Sequence, residues 1–316
     1  MTASDLATVR LLTIDEDRAG QRLDNFLITA LKGAPRALVY RIVRKVEVSV
    51  NKGRVAPDYR LQAGDVVRVP PVRLSDVAPA PTPRHGLQKL LTERIVHDAD
   101  HLLVVNKPAG LAVHGGSGVS VGLIEALRAM RPEQASSLEL VHRLDRDTSG
   151  LIMVTSRRPL LRALHANLRD GDIDKRYVAL LSGRLAGAKH RVDAPLLKVE
   201  RPSGEAIVRV SREGKAAITE FTVLERFKDA TLVEAKLLTG RTHQIRVHAQ
   251  HLGHPLVGDD KYGLDAVNKQ FQKKGLTRLF LHAKRLQLTL PDGKRLSLEA
   301  DIDDDFEKGL AVLRRG

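Results

Sequence analysis

His142-Arg143-Leu144-Asp145-Arg146-Asp147-Thr148-Ser149-Gly150 sets two carboxylates among arginines in a short polar stretch between two apolar runs, Leu138 to Val141 and Leu151 to Val154. Both flanks read as buried strand, so the nine residues form a loop whose ends are held by rigid structure. Such a loop presents reactive groups reproducibly, which catalysis requires. It also suits a hairpin turn in which Asp, Thr and Ser satisfy backbone N–H groups and the arginines balance charge. Both readings are open at this point, and the rest of the chain decides between them.

Working outward, Leu102 to Val105, Tyr177 to Leu181, Thr231 to Leu238 and Leu279 to Leu290 supply further strand candidates. Thr242 to Leu252 places Ile245, Ala249 and Leu252 at helical spacing and stops at Gly253, with Arg241, Thr242 and His243 at its start. Strands with occasional helices predict an α+β body built on a mixed, largely antiparallel sheet. Pro70, Pro71, Pro79, Pro81 and Pro83 mark a linker ahead of it. The expected division is a small domain over 15–72, a linker over 73–86 and a body over 87–316.

In the small domain Leu23, Phe26, Leu27 and Ala30 recur at helical spacing, and a second helix is expected to start near Pro35 and run through Lys45. Val46, Val48 and Val50 alternate as a strand does. Asn51-Lys52-Gly53-Arg54 then turns the chain, and Val67-Arg68-Val69 alternates again. Between positions 32 and 60 eight basic residues, including Arg36, Arg41, Arg44, Lys45, Lys52 and Arg54, face only Glu47 and Asp58. An excess concentrated on one helix and the turn after it is what a phosphate-gripping surface needs, so these six are the expected backbone-binding residues for a nucleic acid.

Composition narrows the function classes. The 316 residues carry 52 Lys and Arg against 38 Asp and Glu, a formal charge of +14, which points to a polyanionic partner. No apolar run approaches the roughly 20 residues of a membrane helix, and the first residues lack the layout of a signal peptide, so a cytoplasmic protein without a membrane partner is expected. Cysteine is absent, which excludes disulfides and thiol nucleophiles. With six Phe, four Tyr and no Trp, broad stacking platforms for single strands are not expected. His243, His248, His251 and His254 match no zinc spacing and are read as solvated or RNA-facing, so no metal is expected. Gly115-Gly116-Ser117-Gly118 lacks the ending of a phosphate loop and is read as a flexible edge of the site.

The small domain resembles the S4 RNA-binding domain, with helix, turn, Val48-Ser49-Val50-Asn51 and Gly64-Asp65-Val66-Val67 in matching order. The body resembles the RNA pseudouridine synthases, in the branch that couples an S4 domain to the catalytic part. Lys107-Pro108 with Gly110, the whole His142 to Gly150 run, Lys175-Arg176-Tyr177, Gly240 to His248, Asp260-Lys261-Tyr262-Gly263 and Leu281-His282-Ala283 carry that resemblance over essentially the whole chain.

The implied reaction breaks the bond from N1 to C1′ of uridine, turns the uracil and joins C5 to C1′. No atom is gained or lost, so no cofactor is expected. One ionised carboxylate beside the ribose is needed, and Asp145 is the candidate; a hydrolytic glycosidase would use two cooperating carboxylates. Asp147 is read as a structural acceptor of backbone N–H groups. A carboxylate in a dry pocket needs a cation beside it to stay charged. The resemblance implies that Arg241 is that cation, that Arg143 fills the gap left by the flipped uridine, that Tyr177 stacks on the base and that Ile245 walls the pocket. The expected partner is large-subunit ribosomal RNA or a pre-ribosomal particle, and the expected state a monomer. A noncatalytic ribosome-assembly factor is the rival, and the intact set of Asp145, Tyr177 and Arg241 argues against it.

Overall fold

The computed structural model describes residues 8–31, 36–72, 85–115, 121–200 and 206–315. It divides into two compact units, one made of residues 1–82 with 157–159 and the other of 83–156 and 160–316. The expected linker at 73–84 lies outside the described residues, as do Pro35 and Gly116 to Gly118. Positions 85 and 86, expected in the linker, already begin a helix.

The first unit runs β1 (Arg10–Thr13), α1 (Leu23–Ala30), α2 (Arg36–Arg44), β2 (Ser49–Val50) and β3 (Val66–Val69), with the sheet ordered β1-β3-β2. Strand β1 precedes the expected start at residue 15, and it pairs antiparallel with β3 from Arg10↔Val69 to Thr13↔Val66. Leu23, Phe26 and Leu27 of α1 meet Val39, Ile42 and Val43 of α2 over Val67 and Val69 in one buried core. Asn51 and Lys52 both hold positive φ, 49° and 63°, between the mutually bonded Val50 and Gly53. A two-residue turn of that kind matches the twist of the strands it joins. Asn51 fixes it by donating Nδ2–H to Asp65 Oδ1 at 2.7 Å and accepting the Val66 N–H at 2.9 Å.

Val46 does not join a strand, although its alternation with Val48 and Val50 predicts one. It closes α2 instead: its N–H donates to the Val43 carbonyl, the Glu47 N–H donates to the Ile42 carbonyl, and its φ is 60°. That helix-ending motif favours glycine, because a branched side chain in the left-handed region is strained. Since Val46 is 42% exposed and buries little, Val46→Gly should stabilise the unit by about 1 kcal/mol. Urea unfolding measured on both proteins checks this, and a lower midpoint for the variant would contradict it.

The second unit comprises α3 (His85–Glu93), β4 (Ile95–Ala99), β5 (Leu102–Lys107), α4 (Leu123–Met130), β6 (Glu139–Leu140), β7 (Ser149–Thr155), α5 (Arg158–Asp170) and β8 (Asp174–Ser182). It continues through β9 (Lys189–Asp193), β10 (Leu196–Glu200), β11 (Ala206–Val210), β12 (Ile218–Arg226), β13 (Ala230–Leu237), α6 (Gln244–His251) and α7 (Asp265–Lys273). β14 (Leu281–Thr289), β15 (Arg295–Glu299) and α8 (Asp304–Arg315) complete it. Among the described residues ten strands form one sheet, β4-β5-β7-β14-β8-β13-β12-β9, with β6 on β7 and β15 on β14; β10 and β11 make a separate ribbon. The architecture is α+β with mostly antiparallel pairing, as the sequence predicts. The exception is β7 beside β14, which run parallel with His282↔Ser149 and Ala283↔Gly150 in register.

Strand β7 is buried along its whole length, which is why Leu151 to Val154 reads as an unbroken apolar run. Ile152 and Val154 pack with α4 and α6 on one face, and Leu151 and Met153 pack with α5 on the other. At the start of β7 the chain passes so close to β14 that a Cβ on Gly150 (φ +107°) would lie 2.3 Å from the Ala283 carbonyl oxygen. Only glycine fits there, and the crossing fixes the end of the His142 to Gly150 loop.

Candidate active site

The loop between β6 and β7 is anchored from several sides. Lys107, fully buried, donates from Nζ to the carbonyls of Pro108, Leu111 and Arg146 at 3.0, 2.8 and 2.8 Å. Burial pulls its ammonium down to about 7, against the opposing charges of Asp147 and Asp145. His142 accepts the Met153 N–H at Nε2, and burial lowers its imidazole to about 4, so it stays neutral. At the other end Arg278 donates to Ser149 Oγ at 2.7 Å, and Ser149 Oγ lies 2.9 Å from Nδ1 of the buried His282. His282 Nε2–H reaches the Ala300 carbonyl at 3.1 Å, which leaves Nδ1 to accept the serine proton.

The loop so held turns Asp145 toward a cavity of about 80 Å³ lined by Arg143, Asp145, Tyr177, Arg241, His243, Ile245 and Arg246, among others. All five residues expected at the site therefore meet. Tyr177 is 8% exposed and Ile245 4%. Burial, reinforced by the charge of Asp145, pushes the Tyr177 hydroxyl above its ordinary value, so it is a neutral ring. Arg143 is exposed on the loop. Among the described residues lining the cavity Asp145 is the only carboxylate. Asp147 faces away: it bonds the Arg146 guanidinium rather than backbone N–H groups, and both residues border a larger groove of about 1160 Å³.

The partner of Asp145 is Arg246, which corrects the expectation of Arg241. Nη1 of Arg246 donates to Asp145 Oδ2 at 3.1 Å, whereas Arg241 is exposed and donates Nε–H to the Ala216 carbonyl at 3.0 Å. Arg246 also grips the fully buried carboxylate of Asp259 with two parallel bonds, 2.8 and 2.7 Å, and its guanidinium lies 5.1 Å from the centre of the Tyr262 ring. Burial alone would lower the guanidinium, but the bonds and charge of Asp259, with those of Asp145, outweigh it and hold the group above its ordinary value. Asp259 is fixed in turn by the N–H groups of Lys261 and Tyr262.

Helix α6 explains why Arg246 and not Arg241 points inward. Gln244 through Ala249 are buried, and Gln244 locks the helix start: its amide Nε2 donates to the Ile218 carbonyl and Thr219 Oγ1, and its Oε1 accepts from the Thr239 hydroxyl and from the Arg241 N–H. His248, expected in solvent, is fully buried between Thr219 Oγ1 and the Ala194 carbonyl. His243, also expected in solvent or against RNA, is in the site, with Nε2 3.7 Å from Asp145 Oδ1. His251 is exposed and His254 bonds the Ser182 carbonyl. Among the described residues no group of three or more His, Cys, Asp or Glu is placed to hold a metal ion.

Of the expected RNA-binding residues, Arg41, Arg44, Lys45, Lys52 and Arg54 are exposed, and Arg36 opens α2. Residues 21–67 match the S4 domain, and residues 101–251 match the RNA pseudouridylate synthase model. Over 308 residues the chain is 53% identical to ribosomal large subunit pseudouridine synthase C of Pasteurella multocida, covering 97% of this chain and 94% of that one. The chain belongs to the RNA pseudouridine synthase family. Ribosomal large subunit pseudouridine synthase C of Escherichia coli K12 is 51% identical over 316 residues, covering 98% of each. Among solved structures, human RNA pseudouridylate synthase domain containing 4 shares 29% identity at a TM-score of 0.59, over 72% of this synthase and 96% of that chain. This synthase is thus an RNA-modifying isomerase with an N-terminal S4 domain, and none of its described helices is long and apolar enough to cross a membrane.

Proposed function

We propose that this synthase converts uridines of large-subunit ribosomal RNA to pseudouridine in the cytoplasm, acting as a monomer with Asp145 as the reacting carboxylate. The observation that carries the reading is Asp145 itself, the one carboxylate among the described residues lining a cavity walled by Tyr177 and Ile245, with one oxygen on the Arg246 guanidinium. The curated relatives are named for the large ribosomal subunit, and their similarity extends over both units.

The uridine flips from its stack into the cavity, Arg143 takes its place, and Tyr177 stacks on the base. Asp145 then attacks C1′ or takes a proton from C2′; either step releases the uracil at N1. The uracil turns while bound and C5 joins C1′, which breaks the bond from C1′ to the Asp145 oxygen in the first route or is accompanied by return of the proton to C2′ in the second. The C5 proton then leaves and N1 gains one, so that Asp145 is regenerated and no atom is gained or lost. A water-activating second carboxylate is not among the described residues of the cavity, which suits rejoining rather than hydrolysis. Arg36, Arg41, Arg44, Lys45, Lys52 and Arg54 grip the RNA backbone, a contact that fixes register and weakens with salt.

Incubating the protein with unmodified large-subunit ribosomal RNA, followed by site-resolved chemical mapping, tests this. Pseudouridine should form at discrete positions. Tight RNA binding with no modified uridine in either naked RNA or pre-ribosomal particles would overturn the substrate assignment.

A further inference from the structure

We infer that His243 is a positioning residue for Asp145, that Tyr262 sets its tautomer, and that the pair links the β10–β11 ribbon to the reacting carboxylate. The inference rests on the proposed role of Asp145.

His243 stands immediately before α6 with φ 53°, a left-handed backbone that a non-glycine residue adopts only when its surroundings impose it. Its ring meets Tyr262 edge to face, centroids 5.4 Å apart at 68°, and Nδ1 lies 2.6 Å from the Tyr262 hydroxyl oxygen. The same oxygen accepts the Val208 N–H at 3.0 Å. Among the described residues the Tyr262 proton has no other acceptor, so the hydroxyl donates to Nδ1 while it accepts from Val208. An imidazole that accepts at Nδ1 carries its proton on Nε2. Nε2 stands 3.7 Å from Asp145 Oδ1, just beyond hydrogen-bond reach, while Arg246 holds Oδ2. The two carboxylate oxygens are therefore addressed separately, and a small movement completes the second bond.

The ribbon can supply that movement. Val208 lies opposite Lys198 in the β10–β11 register, yet its N–H is spent on Tyr262 and not on the neighbouring strand. Lys198 and Arg209 on the ribbon, with Arg212 and Lys215 in the turn that follows, are exposed. RNA phosphates drawn to these cations press on the strand whose amide holds Tyr262, and Tyr262 carries the displacement to His243. His243 then closes on Asp145 when RNA is seated. The tyrosine and histidine act through the aspartate and touch no reacting atom.

The test uses the full-length protein and an RNA fragment that the wild type modifies, with single-turnover rates at saturating protein and RNA affinity measured separately. Tyr262→Phe keeps the ring beneath Arg246 and removes only the hydroxyl. His243→Asn tolerates the left-handed backbone but is too short to reach either neighbour. Each should slow conversion about tenfold, the effect of losing one hydrogen bond's free energy in the transition state, with affinity within about twofold. The double variant should be no slower than His243→Asn alone, because both changes cut one chain. Wild-type rates in both single variants, additive losses in the double, or losses in affinity with unchanged rate would each overturn the inference. Thermal unfolding of all variants separates a folding defect, which adds across the pair, from a broken chain, which does not. Asp145→Asn run alongside distinguishes the two readings: turnover there refutes the role of Asp145, whereas its silence beside a fully active Tyr262→Phe refutes only the link.

Discussion

Asp145→Asn should abolish pseudouridine formation, lowering the single-turnover rate by about a thousandfold or more, while RNA affinity stays within about twofold of wild type. The amide has the size of the carboxylate and still offers an oxygen to Arg246 Nη1, so the 3.1 Å contact and the cavity can persist. What disappears is the negative charge. A neutral amide neither attacks C1′ nor removes a proton from C2′, so the substitution is silent in binding and decisive in chemistry. Turnover within tenfold of wild type would sink the proposed mechanism, since Asp147 faces a different groove and bonds Arg146.

Arg246→Met should have the second largest effect, and it acts on stability as well as rate. The Arg246 side chain is 8% exposed, and the Asp259 carboxylate it grips is 0% exposed. Removing one partner of a buried ion pair leaves the other charge uncompensated, at a cost of about 3–5 kcal/mol. Replacing both partners, as Arg246→Met with Asp259→Asn, whose amide oxygen still accepts the Lys261 and Tyr262 N–H groups, should restore part of that stability without restoring activity, because Asp145 still lacks its guanidinium. Arg241→Ala, by contrast, removes an exposed side chain bonded to a carbonyl, and its stability should stay within about 0.5 kcal/mol of wild type. Urea unfolding and single-turnover rates on the four proteins decide the matter. An Arg241→Ala defect in chemistry larger than that of Arg246→Met would return the partnership to Arg241.

That contest shows where sequence reading reached and where it stopped. The apolar flanks of the His142 to Gly150 loop, the helix from Leu23 and the strands at 102–107, 174–182, 230–237 and 281–289 were legible because burial leaves a periodic trace. Asp145, Tyr177, Arg143, Arg241 and Ile245 all line one cavity, and the motifs that contain them already named them. The choice between Arg241 and Arg246 depends on tertiary contacts: Arg241 precedes α6 and bonds the Ala216 carbonyl, whereas Arg246 lies within the helix in the run buried from Gln244 to Ala249. An arginine among positions that otherwise read as core was the available signal. His243, His248 and Asp259 were missed for a related reason: each is held by a residue distant in sequence, and hydrogen-bonding capacity leaves no periodic mark. Val46 misled in the opposite sense, since its alternation with Val48 and Val50 is real but belongs to a helix end.

The parallel pairing of β7 with β14 also decides when in its life the molecule can work. Ser149 and Gly150 are registered against His282 and Ala283, and Asp145 waits for a guanidinium 101 residues later. Contacts so far apart in the chain carry a large loop-closure cost and form late. During synthesis the loop around Asp145 therefore leaves the ribosome unsupported, while the first unit, whose helices and strands lie within residues 10–69, can already fold. The chain emerges able to hold RNA before it is able to alter it, and competence arrives only when the strand at 281–289 slides into its slot.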